Sequence, residues 1–248
     1  MVTDDPVVTV ITGAASGIGF ASAERLAARG DRVVMVDQAA DRLEAAAGQV
    51  AATGASPYSR VLDVRDRPAL EQLCIDIRST LGPITYLFSN AGGGRPCRAV
   101  DLSLTEWQEV IDTHVTGAYN VCRAALPYMS NGAILFTSSD FAIVGYVGYA
   151  HYCAAKAALY SLAKSLAIEL APAIRVNALG PGPIDTPHLH GAAGSDWDEA
   201  RTKFEGEVPM RRLGSPDEVA SVADFLLSDR AAYITGQIVQ PNGGQVMW

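Results

Sequence analysis

Tyr152 and Lys156 stand four residues apart, and Ser139 lies thirteen residues before the tyrosine. On a helix, positions i and i+4 share a face, so a phenol and an ammonium would project side by side. An unperturbed phenol has a pKa of about 10 and keeps its proton at neutral pH. A neighbouring cation favours the phenolate and lowers that value. The pair is therefore a candidate general acid/base, and Ser139 offers a hydroxyl donor to the same reacting oxygen. Spacing alone does not make chemistry. Tyr160 and Lys164 repeat it, with Val147 where the serine would stand, and they sit about 12 Å further along a helix.

The other end of the chain gives the pair a context. Val7 to Ile11 is an unbroken apolar, β-branched run, as expected of a strand buried on both faces. It leads into Thr12-Gly13-Ala14-Ala15-Ser16-Gly17-Ile18-Gly19 and then an Ala-, Leu-, Glu- and Arg-rich stretch ended by Gly30. Strand, glycine turn and helix together suit a dinucleotide. Gly13 permits the sharp turn, Gly17 the approach of a pyrophosphate, and Gly19 close packing of helix on sheet. The helix N-terminus offers free N–H groups and partial positive charge to the phosphates. The glycines are spaced three residues then one, unlike the common fingerprint. A second strand, Arg32 to Val36, ends in Asp37, eighteen residues past Gly19. A carboxylate there accepts hydrogen bonds from the ribose hydroxyls and repels a 2′-phosphate. Neither Ser16 nor Gln38 supplies a compensating cation, so the residues favour NAD over NADP. Asp37 would also cap a helix starting near Ala39.

The Thr12–Gly19 turn, Asn90-Ala91-Gly92 after a strand, Ser139, and Tyr152 with Lys156 resemble, in order and spacing, the short-chain dehydrogenase/reductase family. The resemblance runs from Val7 to about Gly244. It implies an NAD(P)-dependent oxidoreductase with a single Rossmann-like domain, usually a homotetramer. By the same resemblance Asp63 and Val64 meet the adenine, and Asn90, Ala91 and Gly92 line the adenosine and brace the central sheet. Pro181, Gly182, Ile184 and Thr186 cover the nicotinamide, with the Ile184 backbone and the Thr186 hydroxyl holding its carboxamide. Lys156 contacts the nicotinamide ribose. One position departs: His114-Val115-Thr116-Gly117 carries histidine where the family often has an asparagine that holds a water leading to the lysine. His114 has the hydrogen-bonding capacity to serve that relay, its titration would instead make the relay sensitive to pH near neutrality, and a buried structural histidine is the competing reading.

Strand patterns fall near 7–12, 32–36, 58–62, 84–89, 132–137, 174–179 and 237–240, and helical ones near 17–29, 39–52, 67–80, 104–129, 152–171 and 216–228. This alternation predicts one α/β domain over residues 1–248, a doubly wound sheet of about seven parallel strands with helices on both faces. Right-handed crossovers bring Gly13, Asp37, Asp63, Asn90, Ser139 and Gly182 to one sheet edge. The segment 183–216 has weak periodicity and follows Thr186, which suggests a lid. His188 and His190 within it have no companion ligand at a convincing spacing, so no metal is expected.

The longest apolar runs fall far short of the roughly 20 residues that span a bilayer, and a net charge of −8 argues against nucleic acid or an anionic membrane as partner. Four unpaired-looking cysteines and an acidic N-terminus lead to the expectation of a cytoplasmic protein with reduced thiols. The candidate substrate wall comprises Gly93, Gly94 and Arg95 after the fourth strand, Phe141, Val144, Tyr146 and Tyr149 after Ser139, and the lid residues Leu189, Trp197 and Phe204. Their mostly apolar character favours a hydrophobic cyclic or aryl secondary alcohol or ketone. A 3-oxoacyl-thioester reductase and a non-catalytic NAD sensor are the alternatives. Helices near 104–129 and 152–171, with Trp248 at the C-terminus, are the expected subunit contacts.

Overall fold

The computed structural model describes residues 7–193 and 196–247; Trp248 lies outside them. Seven strands form one sheet: β1 Val8–Thr12, β2 Arg32–Asp37, β3 Tyr58–Val61, β4 Tyr86–Ser89, β5 Gly132–Thr137, β6 Ile174–Leu179 and β7 Ile238–Val239. All pairings are parallel, in the order β3-β2-β1-β4-β5-β6-β7. The order reverses between β1 and β4, and a doubly wound sheet opens its ligand crevice at that switch point. The strands that flank it are buried throughout, in keeping with their continuous apolar sequences.

Side chains alternate between two cores. Val34 and Val36 face one with Leu70 and Ile77, while Val33 and Met35 face the other with Leu26 and Leu43. Helices α1 Gly17–Arg29, α2 Ala40–Ala52 and α9 Pro216–Leu226 cover the second face; α3 Arg67–Thr80, α5 Gly117–Ala125 and α6 Ala150–Leu170 cover the first. Local signals set several ends. Gly30, at φ 103°, closes α1 in the left-handed conformation. Asp66 caps α3, and Ser215 with Glu218 forms a capping box on α9.

The long helix expected over 104–129 is divided. Helix α4 Leu104–Ile111 passes into a π-helical turn, Asp112–Thr116, before α5, and a 3₁₀ turn at Leu126–Tyr128 follows. Pro127 has no N–H to continue the ladder. A π turn shifts the register of the side chains that follow it and commonly marks a functional site; this one contains His114, buried to 1% exposure. Helix α6 begins two residues earlier than expected. The expected irregular lid contains α7 Pro187–Ala193 and α8 Trp197–Glu207. Neither has a buried residue among those described, so neither shows the apolar stripe by which a helix is read from sequence. The root of this excursion is pinched by a bridge between Ile184 and Gly214.

Candidate active site

The glycine turn is fastened to the sheet. Thr12 Oγ1 accepts from the backbone N–H groups of Asn90 and Ala91, both at 3.1 Å. Asn90 Nδ2 donates to the carbonyls of Thr12 and Gly13, and Thr137 Oγ1 donates to Asn90 Oδ1 at 2.9 Å. Asn90 thereby ties β1 and β5 across β4. Gly13 has φ +68°, and a Cβ there would stand 2.9 Å from Ala91 Cα, so only glycine fits without displacing backbone. Ser16 gives α1 no side-chain cap, which leaves first-turn N–H groups of Gly17, Ile18 and Gly19 for an outside acceptor. Asp37 ends β2 with Oδ2 accepting from Ala15 N at 3.2 Å and Oδ1 from Ala39 N at 3.0 Å. It therefore braces the glycine turn and meets the start of α2 together. Glycine cradle, unclaimed helix N–H groups and a carboxylate at the end of β2 fit a dinucleotide.

Asp63 makes a bidentate ion pair with Arg65, 2.6 Å at its closest, which lowers its pKa. Its carboxylate is thus partly committed within the chain, and Arg65 is a neighbour that residue spacing did not single out. Val64 is buried, and its carbonyl accepts from Asn120 Nδ2. Thr186 Oγ1 donates to Ile184 O and accepts from Leu189 N, both at 3.3 Å, so the hydroxyl expected to hold a carboxamide also caps α7.

Ser139, Tyr152, Pro181, Gly182, Ile184 and Thr186 line one cavity of about 130 Å3. Lys156, 2% exposed, lies behind Tyr152 with Nζ 5.3 Å from the phenol ring centroid, and it donates to Thr137 O at 2.7 Å. The expected depression of the tyrosine pKa is absent. Burial raises it, the Asp140 carboxyl adds to the rise, and the Ser139 hydroxyl opposes it. The desolvated lysine is the group brought down, to about 7. Ser139 Oγ donates to Asp140 Oδ1 at 3.1 Å and accepts from Phe141 N at 3.2 Å, so its proton faces a carboxyl and not open cavity.

His114 touches this group edge-on, its ring 5.4 Å from that of Tyr152. Nε2 lies 2.8 Å from Gly93 O and so carries the proton that it donates, while Nδ1 is buried without a partner. Burial and Lys156 hold its pKa well below the usual histidine value. The ring is neutral at neutral pH, and the suggested pH sensitivity near neutrality is not supported. It occupies the space that a Cβ on Gly92 would need.

Of the expected substrate wall, Phe141, Tyr146, Tyr149, Leu189 and Phe204 line the cavity. Gly93, Gly94, Arg95, Val144 and Trp197 are not among its lining residues. Arg95 and Val144 turn to the surface, and the Trp197 ring rests 3.9 Å from that of His190. Asp140, His188 and Gln245 line it unforeseen. Asp140 was legible as the residue after Ser139; Gln245 gave no local signal. His188 and His190 diverge, the first to Gly94 N at 3.4 Å and the second to Asp185 Oδ1 at 2.6 Å.

Comparison with known proteins agrees with this geometry. A family model described as enoyl-(acyl carrier protein) reductase matches residues 13–245. A 3-oxoacyl-[acyl-carrier-protein] reductase of Thermotoga maritima is 35% identical over 97% of this chain and 98% of its own length. The enzyme of the same name from Escherichia coli is 34% identical over 97% of each. An uncharacterised short-chain type dehydrogenase/reductase of Sinorhizobium fredii is 36% identical over 96% of each. The crystal structure of a short-chain dehydrogenase/reductase from Brucella melitensis, titled glucose/ribitol dehydrogenase, superposes with a TM-score of 0.92 at 31% identity over 98% of both chains. A parallel seven-stranded sheet, a glycine turn at its switch point and a cavity lined by Ser139 and Tyr152, with Lys156 behind the phenol, coincide with that match along nearly the whole chain: the protein is an oxidoreductase of the short-chain dehydrogenase/reductase family, whose members use a nicotinamide cofactor.

Proposed function

We propose that this oxidoreductase interconverts a secondary alcohol and a ketone with NAD, on a hydrophobic cyclic or aryl substrate. The observation that carries this reading is the shared cavity of Ser139, Tyr152 and the Pro181–Thr186 segment, walled by Phe141, Tyr146, Tyr149 and Leu189. Tyr152 exchanges a proton with the substrate oxygen. Burial holds it protonated, the form that donates in ketone reduction, and oxidation runs from its ionised form. Lys156 positions the phenol and holds the cofactor ribose. Ser139 positions the substrate oxygen once its hydroxyl turns from Asp140. Gly13, Gly17 and the α1 N-terminus would hold the pyrophosphate, and Asp37 the ribose hydroxyls; the bound nicotinamide supplies or accepts the hydride. Asp37 has no cationic partner among the ion pairs of the described residues, which supports NAD. Exposed Leu104, Trp107, Tyr119 and Ile168 on α4, α5 and α6 support a homotetramer built on those helices. No helix among the described residues is long and apolar enough to cross a membrane.

The names of the relatives support a second reading, reduction of a 3-oxoacyl thioester. Initial rates with each dinucleotide, over aryl and cyclic alcohols and ketones and a 3-oxoacyl thioester, separate the two. Turnover of apolar alcohols with NAD preferred about tenfold or more supports the first. Turnover of the thioester alone, with NADPH, overturns it.

A further inference from the structure

Asp140 is 2% exposed, lines the cavity and directly follows Ser139. Its Oδ1 is used by the Ser139 hydroxyl, while Oδ2 is buried with no hydrogen-bond partner. Among the described residues no ion pair includes it. Burial without a counter-charge pushes its pKa up to about 6, so at neutral pH it is a carboxylate in search of a cation. Aromatic rings form the adjoining wall. Phe141 stacks on Tyr146 at 4.5 Å and meets Tyr149 and Tyr152 edge-on at 5.5 and 6.3 Å. Tyr149 in turn contacts Tyr146 at 5.9 Å and Tyr152 at 5.8 Å. Tyr146 is already engaged, its ring stacked on Phe141 with Lys203 Nζ 5.6 Å from its centroid and its hydroxyl donating to Glu207 at 3.2 Å, so Phe141 and Tyr149 are the rings left to an incoming cation.

Ring faces attract cations, and a carboxylate among them does so more strongly. A neutral hydroxyl would satisfy the hydrogen-bonding need of Oδ2 and leave its charge uncompensated. An anion would be repelled. An ammonium answers both needs. We propose that Asp140 and the aromatic wall form an ammonium subsite, and that the substrate is an amino-substituted secondary alcohol or ketone. The nitrogen lies one or two carbons from the reacting carbon, because Asp140 Oδ1 is 3.1 Å from the Ser139 hydroxyl that positions the substrate oxygen. This inference rests on the alcohol–ketone reading of the same cavity. The ammonium takes no part in the redox change. In the reducing direction Tyr152 gives its proton to the ketone oxygen while the bound nicotinamide would supply the hydride to the carbonyl carbon, yielding amino alcohol and oxidised cofactor; oxidation runs the same step backwards, from the ionised phenol.

The test compares kcat/KM for 2-amino-1-phenylethanol and for 1-phenyl-1-propanol, its neutral counterpart with methyl in place of ammonium. Wild-type protein is expected to prefer the amine about tenfold or more, and Asp140→Asn to lose about tenfold of that ratio. Equal rates in the wild type, or a preference that survives in Asp140→Asn, overturns the subsite. Should Asp140→Asn not fold, Tyr149→Leu removes one wall and keeps the carboxylate; the ratio is expected to fall about threefold or more, and an unchanged ratio counts against the proposal. If neither alcohol turns over, the alcohol–ketone reading of this cavity fails separately. Calorimetric binding of the amine in the presence of NAD then decides the subsite: binding weakened about tenfold in Asp140→Asn supports it, and no binding to wild type overturns it.

Discussion

Replacing Asp140 with Asn removes a carboxylate that the fold holds out of water without a counter-charge. The carboxyl rises from its ordinary 3.8 to about 6 because burial penalises the ionised form. At about 1.4 kcal/mol per tenfold change in proton affinity, that difference is about 3 kcal/mol. Between those two values the folded state binds more protons at this site than the unfolded state does. Its contribution to stability is therefore fully present below pH 3.8 and is lost as the pH rises through about 6. Asparagine does not titrate, so the stability of Asp140→Asn minus that of wild type should climb by about 2.4 kcal/mol between pH 4, where the unfolded carboxyl is already partly ionised, and pH 7.5. Any constant difference in packing between asparagine and a protonated carboxyl cancels from that change, as do the titrations of carboxylates far from the site. Urea titrations of both proteins at four pH values across this range give the number. A difference that stays flat within about 0.5 kcal/mol, or that falls as the pH rises, refutes the claim that Asp140 is buried unpaired.

Two further outcomes follow from the geometry. His114→Ala empties the space beneath Gly92 and leaves Gly93 O without its donor; urea unfolding should show a loss of about 2–4 kcal/mol, and a loss below about 0.5 kcal/mol would mean that the imidazole does not support this loop. Asp37→Ser removes the charge that repels a 2′-phosphate and keeps an acceptor for Ala15 or Ala39; the ratio of NADP to NAD turnover should rise about tenfold or more, and an unchanged ratio would remove Asp37 from cofactor selection.

The parts of the molecule that were legible in the sequence are those whose physics is local. Val8 to Thr12 reads as a buried strand because both of its faces are covered. Gly13 and Gly17 read as a turn because their left-handed φ values suit glycine. Ser139, Tyr152 and Lys156 read as a group because α6 and the end of β5 bring them together. Four features were not legible, each for a tertiary reason. The π turn Asp112–Thr116, which holds buried His114, leaves no mark on the Thr-His-Val-Thr spacing. Helices α7 and α8 lie on the surface, where no apolar face is demanded. The rise of Tyr152 and the fall of Lys156 come from burial, which spacing does not reveal. Val144 and Trp197 were placed on the substrate wall by proximity in sequence, and the fold turns them away from the cavity.

The central claim is that Tyr152 moves the proton while the rest of the site binds and orients. Tyr152→Phe removes one oxygen and keeps the ring that meets His114, Phe141 and Tyr149. The measurement is steady-state turnover of this variant beside its dinucleotide dissociation constant. The expected result is a fall in kcat of about 10²–10⁴, with NAD binding changed by less than about threefold. Turnover within about tenfold of wild type would show that another group carries the proton, and would contradict the assignment of this cavity's chemistry.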